Sequence, residues 1–495
     1  MTKLCACALS VALCLQCWAD EATTAKRFEQ AKRSEPELVA FLKRMPKGGD
    51  LHNHVTGAVY SDFLLDNAVA RNLFFDPETR GFRSTATDRT VPAADLLRNN
   101  DLLYSYLNQV SMRGWTPNTI NGHDHFFDTF DTIGTGMDGM TTEDFLAEVA
   151  KRNLAQNVQY MELMTRCAPG ETLSPVLNSQ VELASLDVAL ATIAPKLQDL
   201  ARSIPSYMDA REQSLTRRLS LKAPISSPKS SITLRYIYSF SRLITNEQFF
   251  VNAAAAMTCA KADPRVVAIN IVAPEDHPNS RRNFNEQMRI LDFLWNRLGK
   301  PKVTLHAGEL TLKYSPVEPM RDRIRKSIVL GHASRIGHGV SIAWEEDLGN
   351  LFKLMKERGV MVEVCLSSNA SILGVSGTQH PILLYRKAGI PVCLNTDDEG
   401  VSRSNLTNEW VRAARTYNFS YADMKDFARN AVAYSFLSGP SLFWDRAHRK
   451  PRPGFEGLGK IGWRPNAKAN ALLAKSEKAQ VQVRLEQAFA KFESP

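Results

Sequence analysis

After residue 45 the chain alternates short, unbroken apolar runs with longer stretches whose apolar positions recur at helical spacing. Eight runs stand out, at 49–54, 157–164, 232–239, 265–272, 302–307, 335–338, 359–366 and 391–396. They are continuous rather than alternating, as in strands buried on both faces of a parallel sheet. The helical spacing between them predicts helices over 142–156, 181–201, 284–298, 344–358 and 406–417. A strand followed by a helix, eight times over, is the arithmetic of an α/β fold of the TIM-barrel class, (β/α)8.

Two stretches break the rhythm. Residues 73–140 form a long insertion after the first strand, where barrel inserts build lids over the mouth. Residues 202–231 carry Arg211, Arg217, Arg218, Lys222 and Lys229 among Ser and Pro, and read as a solvated basic loop. The expected layout is a helical segment at 20–45, a barrel over 46–440, and a C-terminal extension over 441–495 with further helix; helices are predicted at 421–437 and 468–492.

The first residues read as something other than fold. Lys3 precedes an apolar run from Leu4 to Trp18, then Ala19 and the acidic Asp20-Glu21. That is the pattern of a signal peptide over 1–19, giving a periplasmic or secreted protein. The run is short for a transmembrane span, and no later segment is apolar enough for one. Removing 1–19 deletes only Lys3 and lowers the net charge from +9 to +8. This basic balance reads as colloidal solubility rather than nucleic-acid binding. Four of the eight cysteines lie in the first nineteen residues. The other four are too few for a disulfide scaffold. Cys365 and Cys393 read as buried thiols, and a Cys167–Cys259 bridge stays open.

Chemistry-bearing residues gather at the ends of the inferred strands. His52 and His54 are two apart in an extended run, so both rings reach one face. His306 ends a strand before Ala307-Gly308, with Glu309 following as a candidate acid. His338 lies between Gly337 and Gly339, and Asp397-Asp398 ends the last run. Adjacent carboxylates repel unless a cation or strong hydrogen bonds intervene. Each residue alone has an ordinary structural reading. Jointly they fall on the C-terminal face of the barrel, where this fold does its chemistry. Three His and one Asp suit Zn²⁺.

These segments carry a resemblance. Met45-Pro46-Lys47-Gly48-Gly49-Asp50-Leu51-His52-Asn53-His54, Leu305-His306-Ala307-Gly308-Glu309, Arg335-Ile336-Gly337-His338-Gly339 and Leu394-Asn395-Thr396-Asp397-Asp398 resemble, in order, the adenosine deaminase family of metal-dependent amidohydrolases. Cys365-Leu366-Ser367-Ser368-Asn369 is a weaker match. The N-terminal pattern and long insert resemble the secreted, growth-factor-related branch. The resemblance implies zinc on His52, His54, His306 and Asp397. It implies that Glu309 protonates the purine at N1 and that His338 orients and deprotonates the attacking water. It implies substrate contacts from Asp398, at N7, and from His54 and Ala273. The implied reaction turns adenosine or 2′-deoxyadenosine into inosine or 2′-deoxyinosine plus ammonia.

Two positions depart from the family pattern. Thr56 stands where an Asp contacts ribose, and Ala273 stands where a Gly approaches the purine. Glu399-Gly400-Val401 resembles the branch acting on N6-modified adenine nucleotides. Adenine, or an N6-modified adenine nucleoside or nucleotide, is therefore the alternative substrate, and a non-catalytic binding protein on the same barrel is a third reading. Oligomeric state stays open, a homodimer included. His123-Asp124-His125 lies inside the insert and reads as lid rather than ligand. The stretch from Gly454 to Lys460 lacks the Ser/Thr of a P-loop. His277, His332, His380 and His448 have no ligand-like partners in the sequence and read as surface or core.

Overall fold

In the computed structural model, residues 20–117 and 121–494 are described. The expected signal at 1–19 lies outside them. Two amphipathic helices, Glu21–Ala31 and Glu35–Arg44, precede the first strand and pack Phe28, Leu38 and Phe41 inward.

The eight strands are β1 (Gly49–His54), β2 (Tyr160–Thr165), β3 (Thr233–Ser241), β4 (Val266–Val272), β5 (Thr304–Ala307), β6 (Arg335–His338), β7 (Met361–Val364) and β8 (Val392–Leu394). β1 to β4 pair in order in one parallel sheet and β5 to β8 in another. Single parallel bridges join the sheets at both seams, Ile269 with Val303 and Asn53 with Asp397. The ring is thus complete, and the core lies between it and the surrounding helices. β5, β6 and β7 are buried along their whole length, which explains their unbroken apolar runs.

At the C-terminal ends the chain turns sharply. Ala273, His338 and Asp397 have φ of 87°, 66° and 61°, just past β4, at the end of β6 and just past β8. Non-glycine residues held in this region concentrate at functional sites, because the surrounding structure must impose the conformation.

The insertion at 73–140 is partly a unit of its own. Phe74–Asp76, Gly81–Arg83 and Val91–Pro92 form a small antiparallel sheet. Phe75, Phe82, Leu96 and Tyr106 give it a separate core. The helix Gly122–Ile133 then crosses to the barrel mouth.

The solvated loop expected at 202–231 is only half right. The helix Leu186–Arg218 runs through Pro195 and Pro205. Its buried stripe of Ile193, Leu197, Leu200, Ile204, Met208 and Leu215 outweighs the lost backbone bonds. Arg211 is buried in that stripe. Its Nε donates to Glu143 Oε1 at 2.9 Å, its Nη2 to Tyr207 OH at 2.7 Å, and it stacks on Tyr236. Residues from Ser220 to Ser231 are irregular, as expected.

Cys167, Cys259, Cys365 and Cys393 are all free and buried, so the Cys167–Cys259 bridge does not form. Among the described residues no helix is long and apolar enough to cross a membrane. The extension after residue 441 packs Leu442, Phe455, Leu458 and Ala469 in a small core and ends in the helices Ala467–Leu473 and Glu477–Phe492. The stretch Gly454 to Lys460 forms turns, not a P-loop.

Candidate active site

β1, β5 and the turn after β8 bring four side chains to one point. The Nε2 atoms of His52 and His54 are 3.3 Å apart, and His306 Nε2 is 3.1 Å from each. Asp397 Oδ1 stands 3.5 Å from His52 Nε2 and 3.3 Å from His54 Nε2. All four ligand atoms lie within 4.8 Å of one another. Three ring nitrogens cannot satisfy one another with hydrogen bonds at that density. A cation among them would, and three imidazoles with one carboxylate fit Zn²⁺.

The far sides of the rings are fixed. His52 Nδ1 donates to Glu363 Oε2 at 2.7 Å, and His306 Nδ1 donates to Asn270 Oδ1 at 3.2 Å. Glu363, on β7, also accepts from Thr304 Oγ1 at 2.9 Å and pairs with Arg335. Such partners set the tautomer that turns bare Nε2 atoms inward. Sequence reasoning missed Glu363 and Asn270. A charged or amide residue inside an apolar run was the available signal.

The electrostatics match a cation site. Burial pushes His54 down to about 4 and His306 well below the usual histidine value. For His52, burial is outweighed by Asp397 and Glu363, which raise it to about 10. The carboxylates around His52 thus favour a positive charge at this point, and a bound metal would supply it in place of a proton.

Glu309 and Asp398 behave in the opposite way. Burial, then Asp397 and Glu275, push Glu309 well above the carboxylate range. Burial and Asp397 do the same to Asp398. Glu309 Oε1 and Asp398 Oδ1 are buried with no hydrogen-bond partner in the protein, which leaves both carboxyls turned to the cavity. Gly57 makes room for Asp398: an added Cβ would lie 1.8 Å from Asp398 Oδ1. Glu309 is positioned through its main chain, whose N–H donates to Glu275 Oε2 at 2.7 Å. Glu275 pairs with Arg242 at 2.7 Å, and Arg242 donates to the carbonyl of His306 at 3.0 Å.

These residues face a cavity of about 700 Å³. His54, His306, Glu309, His338, Asp397 and Asp398 line its polar end. Thr56 and Ala273 line it too. Phe126, Phe127 and Phe130 of the insert helix lie against it, and Arg166 stands exposed on the rim. His52 is buried behind His54.

The second His pair is no ligand set. His123 Nε2 contacts Asp276 and its Nδ1 contacts Asp124, each at 3.0 Å, and its ring stacks on Tyr314. His125 contacts the carbonyl of Ser111. His277 caps the helix Pro278–Arg297, His332 stacks on Trp295, and His448 packs against Phe443. His380 is buried and bonded to Asn369, 3.0 Å from His338.

The family model for adenosine deaminase matches residues 121–441. The match begins beyond β1, so the His52–His54 pair lies outside it. Adenosine deaminase of Clostridium perfringens is 36% identical over 174 residues, 35% of this chain and 47% of that one. The Enterococcus faecalis adenosine deaminase is 36% identical over 146 residues, 29% and 40% of the two chains. The aligned region thus spans less than half of these relatives. Two Arabidopsis structures share the fold at 21% identity. ADAL complexed with GMP has a TM-score of 0.53 and covers 80% of this chain and 94% of its own. The N6-mAMP deaminase MAPDA has a TM-score of 0.52 and covers 80% and 95%. With a family model spanning well over half its length and a barrel that carries the acid, the histidines and the paired aspartates in order, the chain belongs to the adenosine deaminase family.

Proposed function

We propose that this protein hydrolyses adenosine or 2′-deoxyadenosine to the 6-oxopurine nucleoside and ammonia. One observation carries the reading: two buried carboxyls without protein partners, Glu309 and Asp398, face the cavity that holds the His/Asp cluster, and burial favours their protonated forms. An adenine ring presents lone pairs at N1 and N7, and two buried donors suit two acceptors. Bound by His52, His54, His306 and Asp397, Zn²⁺ supplies the positive charge that acidifies water toward a pKa of ~7.

Glu309 gives its proton to N1, which draws electrons from C6. His338, on the cavity wall, orients the oxygen that adds there. Asp398 holds N7, and His54 and Ala273 flank the ring. The C6–N6 bond then breaks: of the two protons of the added water, one leaves with the amino group as ammonia and the other restores the Glu309 acid, while N1 keeps its proton and a C6 carbonyl remains. Phe126, Phe127 and Phe130 shield the reacting atoms from bulk water.

Arg166 on the rim favours one second reading, an N6-modified adenine nucleotide whose phosphate it would meet. Turnover by zinc-loaded protein on adenosine, 2′-deoxyadenosine, adenine, AMP and N6-methyl-AMP distinguishes the cases. Adenosine should be converted fastest. Faster conversion of N6-methyl-AMP, lost in Arg166→Ala, would move the assignment to the nucleotide. No conversion of any of the five would leave a binding protein. The apolar run before Asp20 supports export, and N-terminal sequencing of the secreted or periplasmic protein tests it.

A further inference from the structure

A second, smaller cavity, distinct from the substrate cavity, lies between β4, β5 and the helices Pro278–Arg297 and Arg323–Val329. Its volume is about 10 Å³, room for one atom-sized occupant. Arg242, Arg323, Gln287 and Ser327 line it, with Ile271 and Leu305 among its apolar walls. Among the described residues no carboxylate lines it.

Two guanidiniums meet here with too few partners. Arg242 and Arg323 are 4% and 1% exposed. Arg242 Nη1 donates to Glu275 Oε1 at 2.7 Å, and its Nη2 donates to the carbonyls of Ile271 and His306, each at 3.0 Å. Its Nε is buried with no hydrogen bond to the protein. Arg323 is served less well. Its Nε and Nη1 are both buried without a partner, and Nη1 stands 3.7 Å from Glu275 Oε1, beyond hydrogen-bond reach. The Phe284 ring centroid lies 4.1 Å from the Arg323 guanidinium carbon. A ring over the face of the group attracts its charge but accepts nothing from the N–H edge.

The charges do not balance either. Among the described residues Glu275 is the one carboxylate ion-paired with either guanidinium, and it also accepts from the main-chain N–H of Glu309. Asp322, beside Arg323 in the chain, is paired with Lys326 at 2.7 Å, and Arg281 adds to the positive field. Burial pushes Arg323 down to about 10, which still leaves it charged at neutral pH. One net positive charge and three buried N–H groups thus belong to the residues around a space for one atom. A water would accept hydrogen bonds but leave the charge unbalanced, and a buried charge without a counter-charge is strongly unfavourable. A halide answers both needs. Tetrahedral oxyanions, with several heavy atoms, are too large.

We propose that this cavity is a structural site for one monovalent anion of halide size, held by the guanidiniums of Arg242 and Arg323. The anion balances the second guanidinium and keeps Arg242 on Glu275, the carboxylate on which the Glu309 main chain rests.

Chloride and bromide are the probes. Crystals of zinc-loaded protein grown in bromide should show anomalous scattering at the bromine edge in this cavity, within hydrogen-bond reach of the Arg242 and Arg323 nitrogens. In differential scanning calorimetry at fixed ionic strength, chloride at ~100-fold above its Kd should raise Tm by about 2–4 °C relative to gluconate. Arg323→Met keeps bulk and removes the charge. It should retain zinc, lose the bromine peak and give the same Tm in chloride and gluconate. A bromine map without a peak in the cavity overturns the proposal, as does a wild-type Tm that is equal in the two salts. A peak seen only at molar bromide, with no Tm difference, marks an adventitious ion only and overturns it too. Should Arg323→Met not fold, the wild-type map and Tm decide. Neither readout needs turnover, so failure of the deaminase reaction leaves the anion site standing, and absence of the anion leaves the reaction untouched.

Discussion

Glu309 and Asp398 show what burial does to a single residue. In water each would be ionised at neutral pH; here the loss of hydration, with Asp397 close by, pushes both well above the usual carboxylate range and favours the protonated form. A neutral carboxyl can give a proton, and that is the whole basis of the role assigned to Glu309. Glu309→Gln keeps size and hydrogen bonding but removes the transferable proton. It should retain zinc and lose about 10²–10⁴-fold in kcat, checked by metal analysis beside kinetics. Glu363 makes the complementary case. It never touches the cavity, yet it turns His52. Glu363→Gln should weaken zinc binding by about 10–100-fold, measured by competition with a chromophoric chelator. His52, His54, His306 and Asp397 were legible because an HxH pair and an Asp-Asp step are conspicuous. Glu363 and Asn270 were not, since nothing in a strand's own sequence shows which neighbouring ring it meets across the barrel.

At the scale of the element, the helix Gly122–Ile133 matters most. Its inner face lays Phe126, Phe127 and Phe130 on the cavity, and His123 ties its first turn to the loop after β4 through Asp276. Both His123 nitrogens meet carboxylates, and Tyr314 covers the ring, so only the imidazolium satisfies both contacts. Burial lowers the His123 pKa, but the bonds to Asp276 and Asp124 outweigh it and raise it overall. The folded-state value therefore lies above the unfolded one. The latch is fully present below the unfolded value and fades as pH rises through the folded one. A partly buried pair of this kind is worth ~1 kcal/mol, or about fivefold in the closed population. In wild type KM should rise as pH passes the folded-state value of His123; His123→Ala should raise KM about fivefold at neutral pH and show no such further rise, read from KM against pH. The same scale explains the misjudged helix Leu186–Arg218. Ser, Pro and a cluster of Arg look like loop, yet the buried stripe at helical spacing continues to Leu215 and sets the outcome.

For the whole molecule, the candidate ligands come from both halves of the barrel. His52 and His54 belong to the first sheet, His306 and Asp397 to the second sheet and the turn that leaves it. A cation there would bridge the seam between β8 and β1, adding to the Asn53–Asp397 bridge and to side-chain hydrogen bonds such as Asn53 Nδ2 to Thr396 Oγ1 at 2.9 Å. Metal that binds only the native state stabilises it by mass action. Removal of zinc by chelation should lower Tm by several degrees and restore it on readdition, followed by differential scanning calorimetry. His306→Ala should show the low Tm whether or not zinc is added.

The sequence by itself pointed to the barrel, because strands buried on both faces are mostly short, continuous β-type runs and eight of them alternate with helical stretches. It also placed the candidate ligands and the candidate acid at strand ends, and the resemblance to the family picked them out from the other polar residues there. Only the tertiary structure decided which side chains of the insert line the cavity, how far the helix Leu186–Arg218 runs, and that Cys167 and Cys259 stay apart. It alone decided which partners orient His52, His306 and His338. Those depend on contacts between residues far apart in the chain, and the direction of a hydrogen bond across such a contact is set by the fold rather than by local pattern.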